Sequence, residues 1–342
     1  MSAKNRFSAG IVSVGMYLPN HIVTAADIAD ESGIEESVIR EKFGITEKRM
    51  AEPEEQPNQM AVWATRDCLS KTDISLDEID LVLCTTEEWK EYINWTAGID
   101  LAYQIGAKKA WAMDIHMRCC TTISALKLAK NMMYSDPDIN TVLIAGGYRA
   151  GDFVNLKNTR TSFAFNLGAG AGAMLIKRDW PSNHILGSHL MTDGCLSRNI
   201  VVPASGTLQH PTDEAVAKGL FKIEVFDMEK MKERLNQVSM KNWLYCIDQA
   251  LRKSGYNRSD LDFLNMILVK PSSYKEMLLL LGLTEAQGVY NDTYGHSGEQ
   301  DSIINIIEGQ KQGKLKDGDL MIIVAAGVGY VWGAACVKWG AS

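Results

Sequence analysis

The 342-residue sequence predicts an α/β fold, with sheets covered by helices on both faces and one topology used twice. Three observations predict it. Strand-like runs alternate with helical-period segments along the chain, the runs are continuously apolar as in buried strands, and the segment order of residues 1–180 recurs in 181–342. In the first half, strands are expected at AGIVSVGMYL, DLVLCTT, AWAMDI, TVLIAGG and AGAMLIK, with helices near 26–42, 57–70, 96–105 and 120–134. In the second, strands are expected at HILGSHLM, FLNMILVKP, VYN, DLMIIVAAG and WGAACVKW, with helices near 228–254, 273–282 and 299–312. The polar segment from Asn199 to about Asp227 reads as a loop bridging the halves.

Composition narrows the function class. The net charge of −7 is dispersed, without the basic stripe a nucleic-acid binder needs, so small-molecule chemistry is favoured. The charge-free run from Met321 to Val337 is shorter than the roughly 20 residues of a membrane span. Gly327 and Gly329 divide it into a buried hairpin. The N-terminal stretch MSAKNRFSAGIVSVGMYLPN is interrupted by Gly15 and Pro19 and lacks a small-residue cleavage site, so no signal peptide is expected. Seven cysteines, odd in number and mostly within apolar segments, suggest reduced thiols and a cytoplasmic location. No metal-ligand spacing and no GxxxxGK[ST] phosphate loop occurs.

The stretch DIHMRCCTTISALKLAKNMM places Cys119 and Cys120 at a strand-to-helix turn. A helix N-terminus favours thiolate, lowering a thiol pKa from about 8.5, whereas small buried cysteines also simply fill space. Both readings remain open from these residues alone.

The surrounding letters resemble the β-ketoacyl-acyl carrier protein synthase III branch of the thiolase-like superfamily. The resemblance rests on GIVSVGMYLPNHIVT with KFGITEKRM, on IDLVLCTT, on AMDIHMRCCTT, on TVLIAGG with SFAFNLGAGAGAML, and on DGDLMIIVAAGVGYVWGAACVKW, in that order. It implies a thiolase-like fold of two similar halves in five α-β-α-β-α layers. In the family the nucleophile follows the strand-ending aspartate by five residues, which from Asp114 is Cys119, leaving Cys120 as packing. The backbone N–H groups of Cys119 and Val328 would then form an oxyanion hole.

The other two catalytic positions depart from the family. Its histidine follows a proline, where this chain has Pro271 and Ser272; its asparagine follows a glycine, where this chain has Gly295 and His296. The resemblance therefore implies weakened decarboxylative condensation; His296 either pairs with Cys119 or is a turn histidine without a role, and Ser272 either donates a hydrogen bond where the histidine stood or is ordinary turn chemistry after proline. Glu87, in CTTEEWKEY, occupies a threonine–glutamate step like that of the related 3-hydroxy-3-methylglutaryl-coenzyme A synthases, where the glutamate is an acid and base. A solvated acidic run with Glu88 and Glu91 is the alternative. His116 is expected to pack beside the strand or tune the thiol, and histidines 21, 184, 189 and 210 match no catalytic position.

Acyl-CoA or acyl carrier protein is implied as the acyl donor, with no tightly bound cofactor. The position that stacks on adenine corresponds to Val38, and Thr46 stands where the family has a cation. The resulting expectation is an acyltransferase, dimeric by resemblance, that loads Cys119 and passes the acyl group on by a Claisen-type step or by acyl transfer in fatty-acid-like or polyketide-type metabolism. The alternatives are a Glu87-dependent condensation and a non-catalytic subunit that retains the fold for a heteromeric or carrier-protein partner.

Overall fold

The computed structural model describes residues 7–87 and 89–341. The first six residues of the N-terminal stretch and Glu88 of the acidic loop lie outside the described residues. The first half contains β1 (Ala9–Tyr17), β2 (His21–Thr24), α1 (Ala25–Ser32), α2 (Glu36–Val38), β3 (Glu47–Met50), α3 (Pro57–Leu69), β4 (Leu81–Cys84), α4 (Ala97–Ile105), β5 (Trp111–Asp114), α5 (Thr121–Ser135), β6 (Thr141–Tyr148) and β7 (Gly170–Arg178). The second contains β8 (Ser182–Thr192), β9 (Ile200–Val201), α6 (Asp213–Ala217), β10 (Glu224–Val225), α7 (Met228–Ser254), β11 (Phe263–Met266), α8 (Pro271–Leu281), α9 (Asp301–Lys311), β12 (Leu320–Gly327) and β13 (Val331–Ala341).

Nine strands form one mixed sheet in the order β11-β12-β13-β8-β1-β7-β6-β4-β5. Its seam is narrow, because β1 and β8 share only the pair Gly10↔His184. Outward from the seam the two wings repeat each other: β1–β7–β6 and β8–β13–β12 are antiparallel, after which β4 and β11 join in parallel. β5 then extends the first wing in parallel. In the second wing the expected strand at VYN does not form, and an isolated parallel bridge, Leu264↔Gly288, takes its place.

Period-two alternation assigns each strand face to a different layer. Leu81 and Leu83 point toward α5 and α9, whereas Val82 and Cys84 point toward α3 and α4. Ile123, Leu126 and Met133 of α5 and Ile303 and Ile306 of α9 pack with residues of both wings, including Leu81, Val142, Phe263 and Met321. The outer face of the second wing is covered by α7 and α8 through Ile247, Leu251, Met277 and Leu278. This gives five layers. Each fully buried aliphatic side chain contributes about 1.5–3 kcal/mol by leaving water, which is why the wings hold a rigid frame around the α5 and α9 N-termini.

Two further expectations change. The helix near 26–42 breaks at Gly33, which takes a left-handed φ of 72° and closes α1 after a Thr24–Asp27 capping box. The segment 199–227 does not bridge the halves: the wings are joined by the turn after β7, while Ile200, Val202 and Ile223 line a cavity wall. Among the described residues, no helix is long and apolar enough to cross a membrane.

Candidate active site

Asp114 ends β5 and anchors the preceding helix, α4. Its carboxylate accepts the N–H groups of Ala97 and Gly98 at 3.1 and 2.8 Å, capping α4, and is paired with Lys90. The chain then turns sharply, with Arg118 at φ 51°, a conformation that residues carrying a Cβ seldom adopt. Thr121 holds this turn: its Oγ1 accepts Met117 N–H at 2.8 Å and donates to Arg118 O at 2.6 Å. The result separates the two cysteines. Cys119 lines a cavity of about 940 Å³, whereas Cys120 is fully buried with its Sγ directed at Val331 O. Burial pushes the Cys120 thiol well above its ordinary range, so Cys120 is inert packing.

The hairpin loop after β12 closes on this turn. A Cβ at Gly327 would stand 2.5 Å from Arg118 Cβ and 3.0 Å from Cys119 N, so only glycine permits the approach. Val328 also lines the cavity.

His296 comes from the opposite half. Gly295 takes φ 76°, and a Cβ there would meet Lys48 Cβ at 2.6 Å. The His296 backbone is clamped on both sides, its N–H donating to Asn166 O at 2.7 Å and its carbonyl accepting Gly168 N–H at 3.0 Å. Its Nε2 lies 3.3 Å from Cys119 Sγ, and its Nδ1 lies 2.6 Å from Asp301 Oδ2. Asp301 is itself fixed by Ser297 N–H at 2.8 Å and Leu268 N–H at 2.9 Å. Donation of Nδ1–H to Asp301 leaves Nε2 free to exchange a proton with sulfur. Burial disfavours the imidazolium, but the charge and hydrogen bond of Asp301, together with Cys119, outweigh it and hold the His296 pKa well above the usual value.

Asp301 was absent from the sequence expectations. Its signal was an acid five residues after His296 in YGHSGEQDS, but the segment after β11 that supplies Leu268 N–H is distant in sequence.

The remaining candidates separate. Ser272 sits on the exposed first turn of α8 at the cavity rim and makes no side-chain hydrogen bond among the described residues. Glu87 lines the cavity with a side chain only 11% exposed, 3.8 Å from His116 Nε2 and 3.9 Å from Arg118 Nη1, and Glu91 accepts the Asn58 N–H at 2.9 Å. Glu87 and Glu91 are thus turned inward, not solvated. His116 is exposed toward Glu87 and does not pack beside the strand. Thr46 donates to Asp292 at 2.7 Å, and Val38 is half-buried. Among the described residues, no group of three His, Cys, Asp or Glu could hold a metal.

Comparisons with known proteins identify the family and agree with the fold. Two family models cover half of the chain between them: 3-oxoacyl-[acyl-carrier-protein (ACP)] synthase III over residues 113–194, and its C-terminal counterpart over 251–339. The chain is 28% identical over 335 residues to a beta-ketoacyl-[acyl-carrier-protein] synthase III of Caldanaerobacter subterraneus, covering 98% of each chain. It is 29% identical to the Clostridioides difficile protein of the same name, covering 97% of this chain and 98% of that one. The crystal structure of 3-oxoacyl-[acyl-carrier-protein] synthase III from Aquifex aeolicus superposes with a TM-score of 0.81 at 24% identity, over 97% of this chain and 100% of that one. A priming beta-ketosynthase of the R1128 polyketide pathway reaches 0.84 at 21%, over 100% and 99%. At these identities the structural matches speak for the fold.

Proposed function

The chain belongs to the 3-oxoacyl-[acyl-carrier-protein] synthase III family of acyltransferases, with its thiolase-like fold, and from that premise we propose that it loads an acyl group onto Cys119 and transfers it to a hydroxyl, amine or thiol acceptor. The observation that carries this reading is the unbroken chain from Cys119 Sγ through His296 to Asp301.

In the first half-reaction the Cys119 thiol gives its proton to His296 Nε2 and its sulfur attacks the thioester carbonyl. The tetrahedral adduct collapses, and the departing thiolate takes the proton from the imidazolium. In the second, the acceptor gives a proton to Nε2 and attacks the acyl-cysteine, and Cys119 leaves and is reprotonated. Asp301 stabilises the imidazolium formed in each half, as a buried acid behind an imidazole does. The close approach at Gly327 supports Cys119 N–H and Val328 N–H as donors to the oxyanion, each worth a few kcal/mol.

Acyl transfer is favoured over decarboxylative condensation because the family's histidine position holds the rim residue Ser272 and its asparagine position holds His296. Apolar walls that include Phe153, Val202, Leu235 and Val269 support an acyl chain together with an apolar acceptor, since pockets of about 300–1,000 Å³ take drug-sized ligands. The names of the relatives support acyl-CoA or acyl carrier protein as donor, in fatty-acid-like or polyketide-type metabolism. Seven free thiols support a reducing, cytoplasmic setting. The edge strand β5, with Ile93, Ile99, Tyr103 and Trp111 exposed around it, supports a homodimer.

The test is intact-protein mass spectrometry with a panel of acyl-CoA and acyl carrier protein thioesters, followed by a chase with alcohols and amines. The expected result is one acyl adduct on Cys119, discharged by an acceptor, with no carbon dioxide release from malonyl thioester. Rapid malonyl decarboxylation would overturn the heteroatom-acceptor reading, and absence of any adduct would return the scaffold alternative.

A further inference from the structure

Three chain segments meet behind the cavity wall at Cys119: the end of β4 with Thr85, Thr86 and Glu87, the end of β6 with Gly146, Gly147 and Tyr148, and the turn into α9 with Glu299 and Gln300. They are close-packed. Gly147 N–H donates to Thr86 Oγ1 at 3.0 Å, and Gln300 Nε2 bridges Thr85 Oγ1 at 3.0 Å and Glu299 Oε1 at 2.7 Å. Thr122 Oγ1 of α5 ties the Glu299 carbonyl to the nucleophile's helix at 2.7 Å.

Glu299 has no solvent exposure, and its Oε2 has no hydrogen-bond partner. A carboxylate oxygen so placed would bear charge with nothing to offset it, which burial penalises heavily. A protonated carboxyl instead has an O–H to give, and the acid on the adjoining segment is Glu87, two residues beyond the Thr85 that Gln300 links to Glu299. The two acids are not equivalent. Glu87 has His116 and Arg118 within 4 Å, whereas Glu299 is held by the neutral amide of Gln300. Acids in such unlike surroundings divide their roles, one keeping the charge and the other the proton.

We propose that Glu299 is a positioning residue, a neutral carboxylic acid that donates a hydrogen bond from Oε2 to the Glu87 carboxylate and so holds that carboxylate on the cavity wall beside Cys119. Glu87 then accepts a hydrogen bond from the O–H or N–H of the incoming acceptor, while His296 takes the transferred proton. The direction of the Glu299 pKa agrees: burial first, then the charges of Glu87 and Cys119, raise it well above the carboxylate range. The other titratable groups facing this cluster are Tyr148 of β6, also pushed up by burial, and His296 with Asp301 on the turn into α9. The role of the pair rests on the acyl-transfer reading of the site, but the shared proton is measurable without it.

The experiment combines infrared difference spectroscopy with kinetics on the full chain. Wild type minus Glu299→Gln at neutral pH is expected to show the carbonyl stretch of a protonated carboxyl, moved by D₂O. Glu87→Gln is expected to shift that band, because a weaker acceptor replaces the carboxylate. No protonated band, or a band indifferent to Glu87→Gln, overturns the proposal. In the kinetic arm, octanoyl-CoA is the donor and octylamine the acceptor. Glu299→Ala is expected to slow discharge of the acyl-enzyme by about tenfold or more, the scale of misplaced reacting groups, while Glu299→Gln, which keeps an N–H donor, stays within about threefold of wild type. Equal rates for Glu299→Ala and wild type overturn the positioning role. Thermal melts separate unfolding from chemistry, and the isosteric glutamine variant keeps the infrared arm decisive if the alanine variant fails to fold. If wild type forms no octanoyl adduct, the acyl-transfer reading fails, while the infrared arm still decides the carboxyl pair.

Discussion

Two turns of the second half occupy the family's catalytic positions, and they have had opposite fates. At residues 270–272 the chain enters α8 through Pro271, and Ser272 stands exposed at the cavity rim. At 295–301, His296 is 6% exposed, its backbone is clamped by Asn166 and Gly168, and its ring is held between Cys119 and Asp301. The contrast lies in the support that each turn gives its side chain. The second turn has a buried acid, two backbone donors to that acid and a glycine at φ 76°, and the first has none of these.

Substitutions that remove one side of this contrast rank by distance from the reacting sulfur. Cys119→Ala is expected to abolish the acyl adduct in mass spectra, while Cys120→Ala retains it. Equal adducts on the two variants would break the assignment at its root. His296→Ala is expected to lower the acylation rate about 10²-fold or more at saturating thioester, the scale of a positioned general base. An unchanged rate would make the two turns equivalent and move the search for the base to Glu87.

Asp301→Asn sharpens the contrast through pH. Burial lowers the His296 pKa and Asp301 raises it, so without the carboxylate the imidazolium must lose its proton at lower pH than in wild type. Ring resonances followed by NMR across a pH series would read that downward shift, and the acylation rate should fall by about tenfold or more as the ring loses its orientation. A titration that does not move would dissociate Asp301 from the relay. Ser272→Ala should be the mildest change, within about threefold of wild type, as for an exposed residue outside the hydrogen-bonded network. A large loss there would restore the first turn to the chemistry.

The long apolar strands, the helices at 57–69, 121–135 and 228–254 and the paired glycines of the last hairpin were legible because each depends on local periodicity or turn chemistry. The count from Asp114 to Cys119 was legible as well, although the local role of Asp114, capping α4, was not. His296 could be singled out by its place after Gly295. Asp301, the inward turn of Glu87 and the buried Glu299 could not, because each depends on which distant segments arrive beside it.

The sequence by itself determined the strand and helix order, the glycines that allow close approach, and the strand-to-helix turn that carries Cys119 and Cys120, all properties of a few neighbouring residues. Only the tertiary structure decided that Cys119 faces the cavity while Cys120 is sealed, and that one carboxyl, Asp301, lies against the imidazole while another, Glu299, is fully buried. The physical reason is that burial and hydrogen-bond completion are set by segments more than a hundred residues apart in sequence, such as Cys119 and His296, and a protonation state follows from that packing and from no single stretch of chain.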